Sequence, residues 1–119
     1  MQVNVVLLML IPAIRDRRSS YDFISLGGES DISIPSVQLQ DKFGSMENVL
    51  QSITEFHLGV LDFQPSYILY DVYFHENVIN IYYYTFLPMD AEITNGNLIS
   101  LEEIKHLATY QKVVNKIIR

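Results

Sequence analysis

Four carboxylates in this chain could do chemistry together: Glu29 and Asp31, then Glu47 and Glu55. A hard cation such as Mg²⁺ takes oxygen ligands in a near-octahedral arrangement, and it activates water by neutralising charge and lowering the water's pKa. A relocated metal site would need all four carboxylates to converge on one ion. Eight positions separate Glu47 from Glu55, roughly two helical turns, so the pair shares a face without sharing a turn. The neutral amide Gln51 stands midway and leaves the gap unbridged. The plainer role for Glu47 and Glu55 is a solvated helix face.

The other reactive residue types are scattered. His57, His75 and His106 fall on a helix end, a turn and a late helix, with no HxxxH or HxH spacing to suggest a metal centre. Ser19 and Ser20 have no nucleophile elbow around them. Gly28 belongs to no GxGxxG or P-loop pattern. Arg15, Arg17 and Arg18 make one dense basic spot, which could dock a phosphate or an acidic partner, or simply be a solvated connection. Tyr82 and Tyr84 sit in a tyrosine-rich stretch that could stack a base or pack a sheet.

Composition narrows the classes further. With 119 residues, 49% hydrophobic and 18% charged, the chain has globular rather than disordered composition and length for one core. A net charge of −6 disfavours nucleic acid and anionic membrane surfaces as partners, since both require cationic surface. The absence of cysteine excludes thiolate catalysis, disulfides and Cys-ligated metals, and it fits a cytoplasmic protein. Val5 to Pro12 is apolar, but no Lys or Arg precedes it, so it reads as a buried strand rather than a signal-peptide core.

The elements that would position these residues can be read from periodicity. Val3–Ile11 is almost continuously apolar and predicts a strand covered on both faces, ended by Pro12. Ala13–Ser20 reads as a charged connection and Tyr21–Leu26 as a second strand. Gly27-Gly28 permits a turn or a close backbone approach. Ile32, Ile34, Val37 and Leu39 give a partial period of two around Pro35, compatible with a short edge strand. Ser45–Leu58 predicts a helix with Ser45 as N-cap, Gly59 at its end, and Val49, Leu50, Ile53 and Phe56 on its apolar face. Pro65–Phe74 and Val78–Leu87 predict a hairpin around His75-Glu76-Asn77, with large side chains on both faces and hence a covered sheet. Asp90–Asn97 reads as a polar loop. Ser100 and Glu103 form a capping box that opens a last helix with Leu101, Ile104, Leu107, Val113, Val114 and Ile117 on its stripe, broken near Ala108-Thr109.

The order of these pieces resembles a Nudix hydrolase domain. The apolar strand Phe23-Ile24-Ser25-Leu26 runs into Gly27-Gly28, a helix runs into Gly59-Val60, and a strand pair precedes Leu98-Ile99-Ser100-Leu101-Glu102-Glu103-Ile104. The last of these is similar to the family's aromatic-Val-Ser-x-x-Glu segment, with Leu98 near the aromatic's place. The resemblance implies an α+β fold over residues 1–119: an α/β/α sandwich with a mixed, curved sheet. It places the Arg15–Arg18 connection near the mouth of the substrate cleft. It also implies an Arg-Glu pair and then a Glu-Glu pair on the helix after Gly-Gly, whose glutamates hold Mg²⁺. Counted back from Gly59, those positions hold Ser52, Ile53, Phe56 and His57, and an earlier glutamate position falls near Gly44. The insertion between Gly28 and the helix is longer than the compact motif.

This set supplies no hard-cation site, so the expected function is non-catalytic: a Nudix-like domain that binds a protein partner or a nucleotide-like ligand, alone or as a homodimer, without a cofactor. Arg15, Arg17, Arg18, Tyr82 and Tyr84 are its weakly indicated ligand-binding residues. One alternative is a nucleoside-diphosphate-type pyrophosphohydrolase using Mg²⁺ on Glu29, Asp31, Glu47 and Glu55. Another is a small structural subunit, which predicts an exposed apolar patch of roughly several hundred square ångströms.

Overall fold

The chain is organised around one long strand, β1 (Gln2–Arg15). A computed structural model describes residues 1–117, without the side chains of Arg15, Asp41, Thr109, Lys116 and Ile117. After β1 come β2 (Arg18–Ser25), β3 (Ser36–Gln38), α1 (Met46–Leu58), β4 (Ile68–His75), β5 (Val78–Phe86), β6 (Asn97–Ser100) and α2 (Ala108–Ile117). The strands form one mixed sheet in the order β4-β5-β1-β2-β6, with β3 also on β1. β1 runs parallel to β5, and every other pairing is antiparallel.

Alternation along β1 makes the two layers. Val5, Leu7, Met9 and Ile11 point to one face, where they pack with Val49, Leu50 and Ile53 of α1. Leu8 and Leu10 point to the other, where they meet Phe23, Leu101, Ile104 and the α2 residues Val113 and Val114. The almost unbroken apolar run is therefore what a strand buried on both faces requires. Each such side chain contributes about 1.5–3 kcal/mol on leaving water.

Several details differ from the sequence reading. Pro12 does not end β1, which continues to Arg15 and pairs Pro12 with Tyr21. The β5 ladder stops at Leu10, so Pro12 lies where one edge of the strand is free and a missing N–H is tolerated. The charged connection is correspondingly short: only Asp16 and Arg17 turn, both at positive φ as a two-residue hairpin requires. Glu76 and Asn77 close the β4–β5 hairpin the same way. The stretch read as loop up to Asn97 ends in β6, which pairs with β2. Ser100 caps a 3₁₀ turn, Leu101–Ile104, by accepting from Glu102 N rather than from Glu103. The α-helix begins only at Ala108. Leu107 is exposed, and Ile117 of the expected stripe lies outside the described side chains.

The β4–β5 hairpin is not fully covered. Leu69, Val72 and Phe74 share a face with Ile79 and Ile81 through the β4–β5 pairing, on the same side of the sheet as α1. All three β4 side chains are more than half exposed, because α1 packs over β1 and β3 instead. Among the described residues no helix is long and apolar enough to cross a membrane.

Candidate functional site

The second edge of β1 is shared between two strands. Asn4–Val6 pair with β3, Leu10–Arg15 pair with β2, and between them Leu7 N donates to Pro35 O at 2.9 Å. The sheet therefore forks where β2 leaves and β3 joins. The loop between these strands is held by Leu26 N to Ser33 O at 2.9 Å and by Ser33 N to Ser25 Oγ at 3.0 Å. Gly27 makes this turn possible, since a Cβ there would collide with the Asp31 carbonyl, whereas Gly28 faces open space.

α1 crosses the fork. Ser45 Oγ accepts from Asn48 N at 3.2 Å and starts the helix, and Gly59, at φ 80°, ends it with its N–H on Glu55 O. In the fork lies a cavity of about 300 Å³. Ser52, Ile53, Phe56 and His57 wall it from the helix, and Leu26, Pro35, Ser36 and Val37 from the strands. The four helix residues are those standing at the family's Arg-Glu and Glu-Glu positions in the resemblance above.

The end of the helix is locked by the loop before β6. The His57 carbonyl accepts from Thr94 N at 2.8 Å and Thr94 Oγ1 at 3.0 Å, and the Phe56 carbonyl accepts from Asn95 Nδ2 at 2.7 Å. These bonds satisfy carbonyls that a helix C-terminus would leave orphaned. In return His57 Nδ1 donates to Asn95 O at 2.7 Å. Gly96, at φ 107°, passes so close that a Cβ would come within 3.2 Å of His57 Nδ1 and 3.0 Å of Ser25 O. His57 is thus fully buried and its ring is held in place. Phe56, expected in the core, is exposed instead and meets His57 edge-on at 5.0 Å. Thr54 and His57 take the inner positions that the apolar-stripe reading gave to Phe56.

A Mg²⁺ ion does not fit this donor set. Ile53 and Phe56 offer no ligand, Ser52 Oγ donates to Val49 O at 2.7 Å, and His57 has one ring nitrogen already used. Among the described residues no group of three or more His, Asp or Glu is placed to hold a metal. Glu29 and Asp31 lie in the loop after β2, and they form no such group with Glu47 and Glu55. Glu47 lines a different cavity, of about 500 Å³, with Tyr67 and Gln64 on another flank of α1. Glu55 accepts from Gln51 Nε2 at 3.0 Å. Tyr67 hydrogen-bonds Thr54 at 2.8 Å, and its pKa is raised, chiefly by burial and then by the charges of Glu55 and Glu47, against the lowering effect of Thr54.

The weakly indicated ligand-binding residues are not brought together. Arg17 and Arg18 are at the β1–β2 hairpin tip, and Arg18 stands seven residues along β2 from Ser25, roughly 23 Å at strand rise. They are far from the fork, contrary to the expected cleft mouth, because β1 and β2 extend beyond the rest of the sheet. The Arg15 side chain lies outside those described. Tyr82 and Tyr84 face the α2 side, opposite to the cavity. Tyr84 is buried, and Tyr82 packs with Tyr70 and Tyr110 at ring distances of 5.9 and 6.2 Å. Leu26, Pro35 and Val37 were not singled out by sequence, where only the Gly-Gly turn signalled that the chain folds back here.

No family model matches the chain, and no curated protein sequence does either. Solved structures do. A mutT/nudix family protein from Listeria innocua superposes with a TM-score of 0.70 at 12% identity, over 97% of this chain and 92% of that one. The C-terminal domain of mouse MUTYH, solved in complex with human PCNA, gives a TM-score of 0.62 at 13% identity, over 98% and 86%. The NUDIX domain of Shewanella oneidensis NrtR, complexed with ADP ribose, gives 0.63 at 9% identity, over 96% and 86%. Element order, the mixed sheet between two helices and these superpositions together establish that the chain has a Nudix fold.

Proposed function

We propose that this chain is a non-catalytic Nudix-fold binding domain that recognises a nucleotide-like ligand or a protein partner. One observation carries this reading. The helix positions that hold the metal-binding glutamates in a Nudix hydrolase are Ile53, Phe56 and His57 here, with Ser52 at the arginine position, and all four form the wall of an apolar cavity rather than a metal cradle. A diphosphate needs cationic charge to be bound and attacked, and this wall supplies none. The likeness to a domain complexed with ADP ribose and to one complexed with PCNA supports both kinds of ligand without choosing between them.

The test is hydrolysis of nucleoside di- and triphosphates and ADP ribose, with Mg²⁺ and with Mn²⁺, beside a Glu47→Gln/Glu55→Gln variant. The expected outcome is no metal-dependent release of phosphate by either protein. Turnover that disappears in the double variant would overturn the reading and put a relocated site on α1. A second reading, assembly into a homodimer, is favoured by the uncovered face of Leu69, Val72 and Phe74 on the edge strand β4. Exposed apolar edges of this kind pair with other chains.

A further inference from the structure

The cavity in the fork contains a polar atom that the protein itself does not satisfy. His57 is 2% exposed, and its Nδ1 is bonded to the Asn95 carbonyl oxygen. A carbonyl only accepts, so Nδ1 carries a proton, and in the imidazole tautomer that this bond selects Nε2 is the acceptor. Among the described residues nothing is bonded to Nε2. Tyr70 Oη is the one sealed side-chain polar atom without a partner among those residues, so Nε2 is not sealed. His57 lines this cavity, and Nε2 is its one ring nitrogen not committed to the protein among the described residues.

The walls narrow what could satisfy it. Leu26, Pro35, Val37, Ile53 and Phe56 are apolar, and no Lys, Arg, Asp or Glu lines the site. A phosphate or carboxylate entering here would lose its water with no counter-charge in return. A volume of about 300 Å³ is at the small end for ligand pockets, enough for a ring system but not for a dinucleotide. Phe56 stands at the mouth, 59% exposed, where its ring can lie against a bound ring without disturbing the core.

We propose that this cavity binds a neutral, flat, bicyclic heteroaromatic ring that donates one N–H to His57 Nε2. The inference rests on the binding reading above and gives that reading a ligand class: an uncharged indole- or purine-type base, not a nucleotide's phosphates. Leu26, Pro35, Val37 and Ile53 bury the ring's faces, and His57 fixes its orientation.

The test uses the full chain, ¹⁵N-labelled, titrated with indole, with benzothiophene as a near-isostere lacking the N–H, and with ADP ribose. Indole should shift the amides of Ser36, Val37 and Ser52–His57 and perturb the His57 Nε2 resonance. Benzothiophene should bind about tenfold more weakly, the upper part of the range for one hydrogen bond. His57→Asn can place its amide N–H on the Asn95 carbonyl but has no atom at the Nε2 position, so the acceptor is lost from that point and the two ligands should bind equally. Phe56→Ala, at an exposed position, should weaken both without unfolding the chain. No indole binding, equal binding of indole and benzothiophene to the unaltered protein, or an unperturbed Nε2 would overturn the proposal. The Nε2 readout holds even if His57→Asn fails to fold. ADP ribose binding elsewhere, with no response to indole, would overturn this inference and leave the binding reading standing. Hydrolysis of ADP ribose lost in the Glu47→Gln/Glu55→Gln variant would overturn that reading instead.

Discussion

The two adjacent glycines at the fork should respond oppositely to alanine. Gly27→Ala places a Cβ against the Asp31 carbonyl oxygen, a backbone atom that cannot swing aside. The turn must open, and with it go the bonds that close it: Asp31 N to Gly28 O at 3.0 Å and Leu26 N to Ser33 O at 2.9 Å. Strain of about 1–3 kcal/mol for an overpacked site, with one or two bonds worth about 1 kcal/mol each, gives a loss of about 2–5 kcal/mol. Gly28→Ala meets nothing within 4 Å, and neither glycine has a left-handed φ. Alanine there removes freedom from the unfolded chain and should be neutral or stabilising by up to about 1 kcal/mol. The two variants should therefore differ by about 3 kcal/mol, or about 12 °C in Tm for a domain near this size. Urea unfolding followed by circular dichroism measures both, with equal slopes expected if each remains two-state. Variants within about 1 kcal/mol of each other would refute the reasoning, because the steric argument assigns the whole effect to Gly27.

Two other perturbations follow from the buried tyrosines and the open sheet face. Burial raises the pKa values of Tyr70, Tyr110 and Tyr67, in Tyr70 and Tyr110 with added repulsion from Tyr82. A raised phenol is stabilising below its unfolded pKa and loses that contribution as pH rises toward the folded value, so Tm should fall above about pH 10. Tyr70→Phe removes a sealed hydroxyl with no partner and should raise stability at pH 7 by up to about 1 kcal/mol while flattening the alkaline loss; a loss at pH 7 above about 1 kcal/mol would show the hydroxyl to be satisfied. If β4 mediates a homodimer, Val72→Lys should give a monomer by light scattering at concentrations where the unaltered chain is dimeric. An unchanged mass from a dimeric parent would remove β4 from the interface.

The fold was largely legible because its signals were local. Ser45 and Gly59 bound α1 with cap chemistry that any sequence shows, and the apolar run of β1 announced burial on both faces. The hairpin at Glu76-Asn77 fell where the turn residues stood. The misreadings were tertiary. Whether Pro12 ends a strand depends on the length of its neighbour β5, and whether Leu69, Val72 and Phe74 are covered depends on where α1 lies along the sheet. Neither is written in the local pattern. Phe56 failed for a related reason: helical periodicity could not distinguish it from His57, whose burial is decided by Asn95 and Gly96 nearly forty residues away.

The candidate site was legible in a different sense. Counting back from Gly59 picked out the four helix residues that line the cavity, but only as an arginine and three glutamates that were missing. The structure gives those positions a second role. Ile53 and His57 face the cavity and are also buried in the packing of α1. A carboxylate at either place would have to lose its water against Leu26, Pro35 and Val37 with no cation beside it, a penalty of several kcal/mol. The metal-binding face of a Nudix helix must stay polar and open to its ion. This helix has instead drawn Ile53 and His57 of that face into the core and fixed His57 through the loop before β6. Building a carboxylate cluster on this face would therefore take more than substitutions along the helix, since the Asn95 and Gly96 contacts that hold the ring would have to be released as well. A helix packed in this way is already committed to shape, and that commitment is the physical support for the binding role proposed above.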